Sequence, residues 1–199
     1  MIQIKQEDEM TFAINLTGGG KKANRRALDF YPTPPDVTNA LLKGICFHVP
    51  KGMMWEPACG NGTMSEVLKL TGNEVISTDI EGDYADMLLD FTRPVKYPIT
   101  PRIKAIVTNP PFALSEAFIR KALSFPDVEF VAMLLKSQYW HAKKRGDLFK
   151  EFPPAFVLAL NWRPDFLNGA RGGAPTMECI WTVWIKGITD ARYMILEKP

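Results

Sequence analysis

Three cysteines and two histidines are the only thiols and imidazoles in this 199-residue chain. Cys46, Cys59 and Cys179 form no C-x-x-C pair, and His48 and His141 stand far apart. That spacing fits neither the common zinc sites nor a disulfide framework, so no metal is expected. Unpaired thiols suit a reducing, cytoplasmic setting. No apolar run approaches the ~20 residues of a membrane span. The acidic start has no secretory signal pattern, and a membrane is not an expected partner. Charge of one sign is also scarce: 24 Lys and Arg face 22 Asp and Glu, a net charge of +2. So small a surplus does not announce nucleic-acid binding over the whole surface. Internal repeats and low-complexity segments are missing.

What is present is a globular composition, 46% apolar, with length for one sizeable core. Residues 1–27 read as peripheral. They are acidic at first, then turn through Gly18-Gly19-Gly20 into a flexible basic arm with Lys21, Lys22, Arg25 and Arg26. Residues 28–199 read as a single domain. From about 28 to 186 strand and helix patterns alternate, as in a three-layer α/β sandwich. Thr33 is placed to cap a helix with Pro34 at its first position, and Val37, Ala40, Leu41 and Ile45 form its apolar face. Further helices are expected near 63–70 and 114–123. Residues 130–135 and 156–160 read as buried strands. Residues 179–185 read as a strand alternating in bulk, and 193–196 as a short edge strand.

Four motifs lie along this pattern. Trp55-Glu56-Pro57-Ala58-Cys59-Gly60-Asn61-Gly62 is a strand running into a glycine turn, where the backbone can approach a ligand closely. Ser65 stands where a dinucleotide fingerprint would place its third glycine. Asp79 closes the next strand about 20 residues on, the spacing at which an acid meets ribose hydroxyls. Residues 85–91 form a third, strand-like element, in which Asp90-Phe91 puts a second acid beside an aromatic. Finally Asn109-Pro110-Pro111-Phe112 ends an apolar strand with two prolines that stop and stiffen it. The Asn109 amide oxygen and the Pro110 carbonyl are acceptors beside a flat ring. That combination suits a planar amino group held while its ring stacks.

In this order the motifs resemble the amino-group methyltransferases that use S-adenosylmethionine, specifically the adenine-directed DNA enzymes and most closely their small phage and prophage forms. The resemblance spans residues 28–186. It implies a Rossmann-like class I methyltransferase: a mainly parallel seven-stranded sheet with a late antiparallel strand. It assigns Asn109, Pro110, Pro111 and Phe112 to the target amine. It assigns Glu56, Pro57, Ala58, Cys59, Gly60 and Gly62 to the cofactor's methionine, Asp79 to its ribose, Asp90 and Phe91 to its adenine, and Ile80 to the cofactor site without a specified part. Tyr31, Pro32 and Thr33 would close over the methionine end, with Asn109 touching the cofactor too. S-adenosylhomocysteine would be the product.

Two loops, 137–150 and 161–177, are long enough to be functional. Lys143, Lys144 and Arg145 beside Trp140 and His141 suit phosphate and base contact. The resemblance makes Arg163 and Phe166 further candidates for substrate contact, beside plainer roles as an ion pair and a packing ring. Only about a dozen residues follow Trp184, so no separate target-recognition domain is expected and sequence reading falls to the loops and the arm. DNA is the expected partner, flipped or single-stranded at the target. Monomer and dimer stay equally open. The alternatives are RNA adenine or protein glutamine as acceptor, or a non-catalytic nucleic-acid-binding homologue. A nicotinamide dehydrogenase is disfavoured by Ser65 and by the absence of any use for the Asn-Pro-Pro-Phe run.

Overall fold

A computed structural model describes residues 32–94, 102–167 and 174–199. The basic arm, Tyr31 and the Arg171-Gly172-Gly173 run lie outside these residues.

The described residues build one sheet in the order β3-β2-β1-β4-β5-β7-β6-β8. Its strands are β1 (Met53–Glu56), β2 (Val75–Asp79), β3 (Met87–Leu88), β4 (Ile103–Thr108), β5 (Phe130–Lys136), β6 (Phe156–Leu160), β7 (Cys179–Ile185) and β8 (Arg192–Leu196). Neighbours from β3 to β5 are parallel. The late strand β7 runs antiparallel to both β5 and β6, as expected. The expected count of seven is corrected to eight, because β8 adds to β6 in parallel register from Phe156↔Arg192 to Leu160↔Leu196. Its anchor is Leu196, which is buried and lies so near Gly44 that a Cβ there would sit 2.5 Å from Leu196 Cδ2.

Helices cover both faces. They are α1 (Pro35–Ile45), α2 (Thr63–Lys69), α3 (Ser115–Leu123) and α4 (Gly146–Glu151). Strand β5 shows why its sequence is apolar from Phe130 to Leu135. Phe130, Ala132 and Leu134 enter one core with Val37, Leu41 and Trp181. Val131, Met133 and Leu135 enter the other with Trp55, Phe118 and Trp184. Successive side chains alternate between faces, so a strand covered on both sides has no polar positions. The three indoles of these cores find acceptors: Trp181 Nε1 donates to the Val37 carbonyl at 3.1 Å, Trp184 Nε1 to the Phe152 carbonyl at 2.9 Å, and Trp55 Nε1 to the Thr78 hydroxyl at 2.9 Å.

Three local expectations need revision. The first helix starts at Pro35 after Pro34, and no side chain caps it. The segment expected as a loop at 137–150 winds into two 3-10 turns and α4. Trp140 stacks on Phe149 there, centroids 4.0 Å apart and planes 5° from parallel, and Leu148 is buried. That local apolar packing gives the stretch its own structure. The strand-like segment at 85–91 shrinks to Met87–Leu88.

Candidate functional site

The carboxyl ends of β1, β2 and β4 place the motif residues side by side. In the glycine turn Gly60 and Gly62 have φ of 54° and 79°, a region that favours residues without a Cβ. Cys59 N–H donates to Thr78 O at 3.1 Å and Gly62 N–H to Cys59 O at 2.8 Å, tying the turn to β2. Gly60 N–H donates to Asp79 Oδ2 at 2.8 Å. Asp79 Oδ1 accepts from Ile80 N at 2.7 Å. The acid at the tip of β2 therefore faces the glycine turn, and Ile80 beside it is largely exposed.

Ser65, the residue out of pattern for a dinucleotide turn, has a clear partner. It is fully buried, donates its hydroxyl to Glu56 Oε2, and lies 2.6 Å from the Ser77 hydroxyl. Glu56 is itself buried at the end of β1. Burial lifts its carboxyl from the ordinary 4.5 to about 8, against the lowering effect of the Ser65 hydrogen bonds. Cys59 is buried as well. Burial, then the Glu56 and Asp79 charges, push its thiol up to about 12. Pro57 is buried, and Ala58 packs on the second core.

Tyr84 is a residue the sequence reading missed. A Cβ at Gly62 would lie 2.1 Å from its ring. Its hydroxyl donates to Glu66 and accepts from Lys69 Nζ at 3.1 Å. The loop after β2 is thereby latched over the glycine turn. An aromatic in the otherwise acidic and glycine-containing run Glu81-Gly82-Asp83-Tyr84 is the signal that could have pointed to it.

Asn109 follows β4 directly. Its Nδ2–H donates to Thr33 Oγ1 at 3.1 Å, joining the segment before α1 to the Asn-Pro-Pro-Phe run. Thr33 is buried. Pro32 precedes it, half-buried. Asn109 Oδ1 is buried and has no hydrogen-bond partner among the described residues. Buried acceptors are rarely left so. Pro110 is buried behind it, Pro111 is half-buried, and Leu114 N–H donates to Pro111 O at 2.8 Å. Phe112 opens the 3-10 turn Phe112–Leu114, with the Lys136 ammonium 4.3 Å from its ring centroid. A base stacking on that face would displace the ammonium.

Other expected contacts fall elsewhere. Phe91 is 1% exposed, its ring 4.9 Å from those of Trp55 and Phe118; it is a core residue and offers no face to an adenine. Phe166 is likewise buried in the first core. Asp90 caps the following turn, accepting from Thr92 N at 3.0 Å and Thr92 Oγ1 at 2.6 Å. These bonds foremost hold its carboxyl below the usual range. Arg163 pairs with Glu178 at 2.7 Å on the surface. Arg145 lies 3.8 Å over the Tyr139 ring and donates to the Tyr139 carbonyl at 3.1 Å. Lys143 and Lys144 share the 3-10 turn with it, and Lys143 is exposed.

No protein-family profile matches the chain, and no curated protein matches it. Solved structures do. A putative RNA methyltransferase from Pyrococcus horikoshii superimposes with a TM-score of 0.62 at 15% identity, covering 90% of this chain and 98% of that one. A dimethyladenosine transferase from Plasmodium falciparum gives 0.54 at 16% identity, over 78% of this chain and 62% of that one. A chain from a type I R-M system gives 0.55 at 17% identity, over 88% of this chain and 46% of that one. This chain thus spans under two thirds of the latter two. Strand order, the antiparallel β7 and these superpositions together give the chain the Rossmann-like fold of class I methyltransferases.

Proposed function

We propose that this chain transfers a methyl group from S-adenosylmethionine to the exocyclic amino group of adenine in DNA. The observation that carries this reading is the buried, unpartnered Oδ1 of Asn109. A buried acceptor held on a stiff proline turn and lacking a donor is a site made for an N–H from outside the chain. The order of the motifs, with the glycine turn and Asp79 before Asn109, supplies the rest.

The residues present fit the cofactor. The glycine turn and the buried Glu56 would receive its methionine end, and Pro32 and Thr33, tied to Asn109 by the Thr33 hydroxyl, would close over it. Asp79 keeps carboxylate lone pairs for ribose hydroxyls beside its backbone bonds, and the exposed Ile80 offers an apolar surface to a ring. When bound, the cofactor supplies an electrophilic methyl on a positively charged sulfur. Everything else is positioning by this chain. Asn109 Oδ1 and the Pro110 carbonyl accept the two N–H bonds of the amine, drawing the nitrogen toward tetrahedral geometry and aiming its lone pair. Phe112 stacks the base. No strong base is required before transfer, because the proton leaves afterwards. Catalysis then comes from orientation and electrostatics. The target nucleotide must be extrahelical, since a stacked base cannot reach such a site.

RNA adenine is the second reading. It is favoured by the likeness in fold to the Pyrococcus and Plasmodium proteins. One experiment separates the two: transfer of labelled methyl to unmethylated DNA, RNA and protein in parallel, with nucleoside analysis of the product. N6-methyladenine in DNA is the expected result. Label confined to RNA or to protein overturns the DNA assignment.

A further inference from the structure

We propose that the outer edge of β8 pairs with the same edge of a second copy of this chain, antiparallel about Met194, so that two sheets join into one. The inference goes beyond the function proposed above and does not depend on it.

The two ends of the sheet are built differently. β3 closes one end with two residues, Met87–Leu88, and so short an edge gives another chain little to pair with. β8 ends the other side among the described residues and runs from Arg192 to Leu196. Its backbone groups divide between two directions. Arg192 N–H donates to Ala155 O at 2.9 Å, and Leu196 O accepts from Asn161 N–H at 3.1 Å. Arg192, Met194 and Leu196 therefore turn toward β6, and Tyr193 and Ile195 between them turn their N–H and C=O outward. Neither of these two positions carries the charge or proline that usually guards an edge. Tyr193 is 66% and Ile195 60% exposed. In register beside them lie the half-buried Val157 and Ala159 of β6. An apolar stripe thus runs out to the exposed edge.

Side-chain order points to a second copy as the occupant. Copies related by a two-fold axis present the same surface to each other. Residues opposite one another in an antiparallel pair share a face, so the axis must pass through a residue. Through Met194, the partner's Ile195 lies opposite Tyr193, an aromatic against a β-branched residue, and the two exchange both backbone bonds. Just beyond the ladder, the partner's Asp190 lies opposite Lys198. Lys198 Nζ is 3.4 Å from Asp36 of α1, yet its side chain is 62% exposed, so a second acid can reach it. The neighbouring registers lose this match. With the axis through Ile195, Arg192 faces Lys198 and Tyr193 faces Glu197. With the axis through Tyr193, Asp190 faces the apolar Leu196. The edge is complementary to itself in one register. β8 runs in the direction of β4 and β5, and the partner's strands run the other way. The glycine turns and Asn109 residues of the two copies then open at opposite ends of the joined sheet, and each copy keeps its own site.

Sedimentation of the full chain at micromolar concentration should show a dimer. Ile195→Lys should raise its dissociation constant roughly tenfold or more, because an unpaired charge enters the contact. Leu70→Lys, at a position 82% exposed beside α2, should leave the dimer intact, and both variants should keep the wild-type circular dichroism. The register has its own readout. In a Cys46→Ser background, Met194→Cys puts a thiol on the axis, where facing Cα atoms are about 4.5 Å apart and a disulfide can close. Mild oxidation should link Met194→Cys chains and leave Ile195→Cys chains largely unlinked. A monomeric wild type, a dimer that Ile195→Lys leaves intact, or linking through residue 195 in preference to 194 overturns the proposal. None of these readouts uses methyl transfer, so a chain that methylates no acceptor yet dimerises in this way discards the proposed function and keeps the edge pairing.

Discussion

Asn109 donates its side-chain amide to the hydroxyl of Thr33, a residue 76 positions earlier in the chain. The bond ties the segment before α1 to the end of β4, and with it the expected cofactor cover to the target motif. The opposite end of the same amide, Oδ1, is buried without a partner among the described residues.

Gly62 is required by Tyr84 as much as by any ligand. Its φ is 79°, and a Cβ would meet the Tyr84 ring at 2.1 Å. Gly62→Ala should destabilise the fold by about 1–3 kcal/mol in denaturant unfolding. Adding Tyr84→Ala should recover part of the loss. No recovery would mean that backbone strain accounts for all of it.

Glu56 makes stability depend on pH. Its carboxyl rises from 4.5 to about 8, chiefly through burial; Asp79 adds to the rise, and the Ser65 hydrogen bonds and Lys69 oppose it. The folded chain thus keeps a proton that the unfolded chain releases. Its contribution is complete below about 4.5 and is lost as pH rises toward 8. Glu56→Gln should flatten that slope, the gap at pH 8 being on the order of a few kcal/mol. Parallel curves for wild type and variant would show that no proton is held.

The thiols should divide by environment. Burial foremost pushes Cys59 and Cys179 up to about 12, whereas Cys46 is exposed. A thiol reagent at neutral pH should modify one cysteine in the native protein and three after unfolding. Rapid modification of Cys59 in the native state would show that the glycine turn opens.

Asp79→Ala should weaken cofactor binding roughly ten- to a hundredfold, the scale of lost hydrogen bonds to a charged group. It also strips Gly60 N–H of its acceptor, so calorimetry should be paired with a melting curve. Unchanged affinity would remove Asp79 from the ribose role.

Much of this was legible in the sequence because it is periodic or punctuated. The apolar run of β5 and the bulk alternation of β7 announce strands that face two cores. The glycine turn and the two prolines after Asn109 mark where strands end. The edge strand at Arg192–Leu196 was also readable, although its parallel register against β6 was not. What stayed hidden depends on contacts distant in sequence. Ser65 looked like a failed glycine until its hydroxyl met Glu56 across nine residues. Phe91 beside an acid looked like a ring contact, yet Trp55 and Phe118 enclose it. Thr33 stood where a helix cap belongs and instead bonds to Asn109, a choice no local pattern encodes.

Asn109→Ala tests the central claim most directly. Measured side by side, methyl transfer to DNA adenine should fall by roughly a hundredfold or more, as when a preorganised electrostatic contact is lost. Cofactor affinity should stay within about twofold. Equal loss of transfer and of cofactor binding would contradict the account and make Asn109 a structural residue.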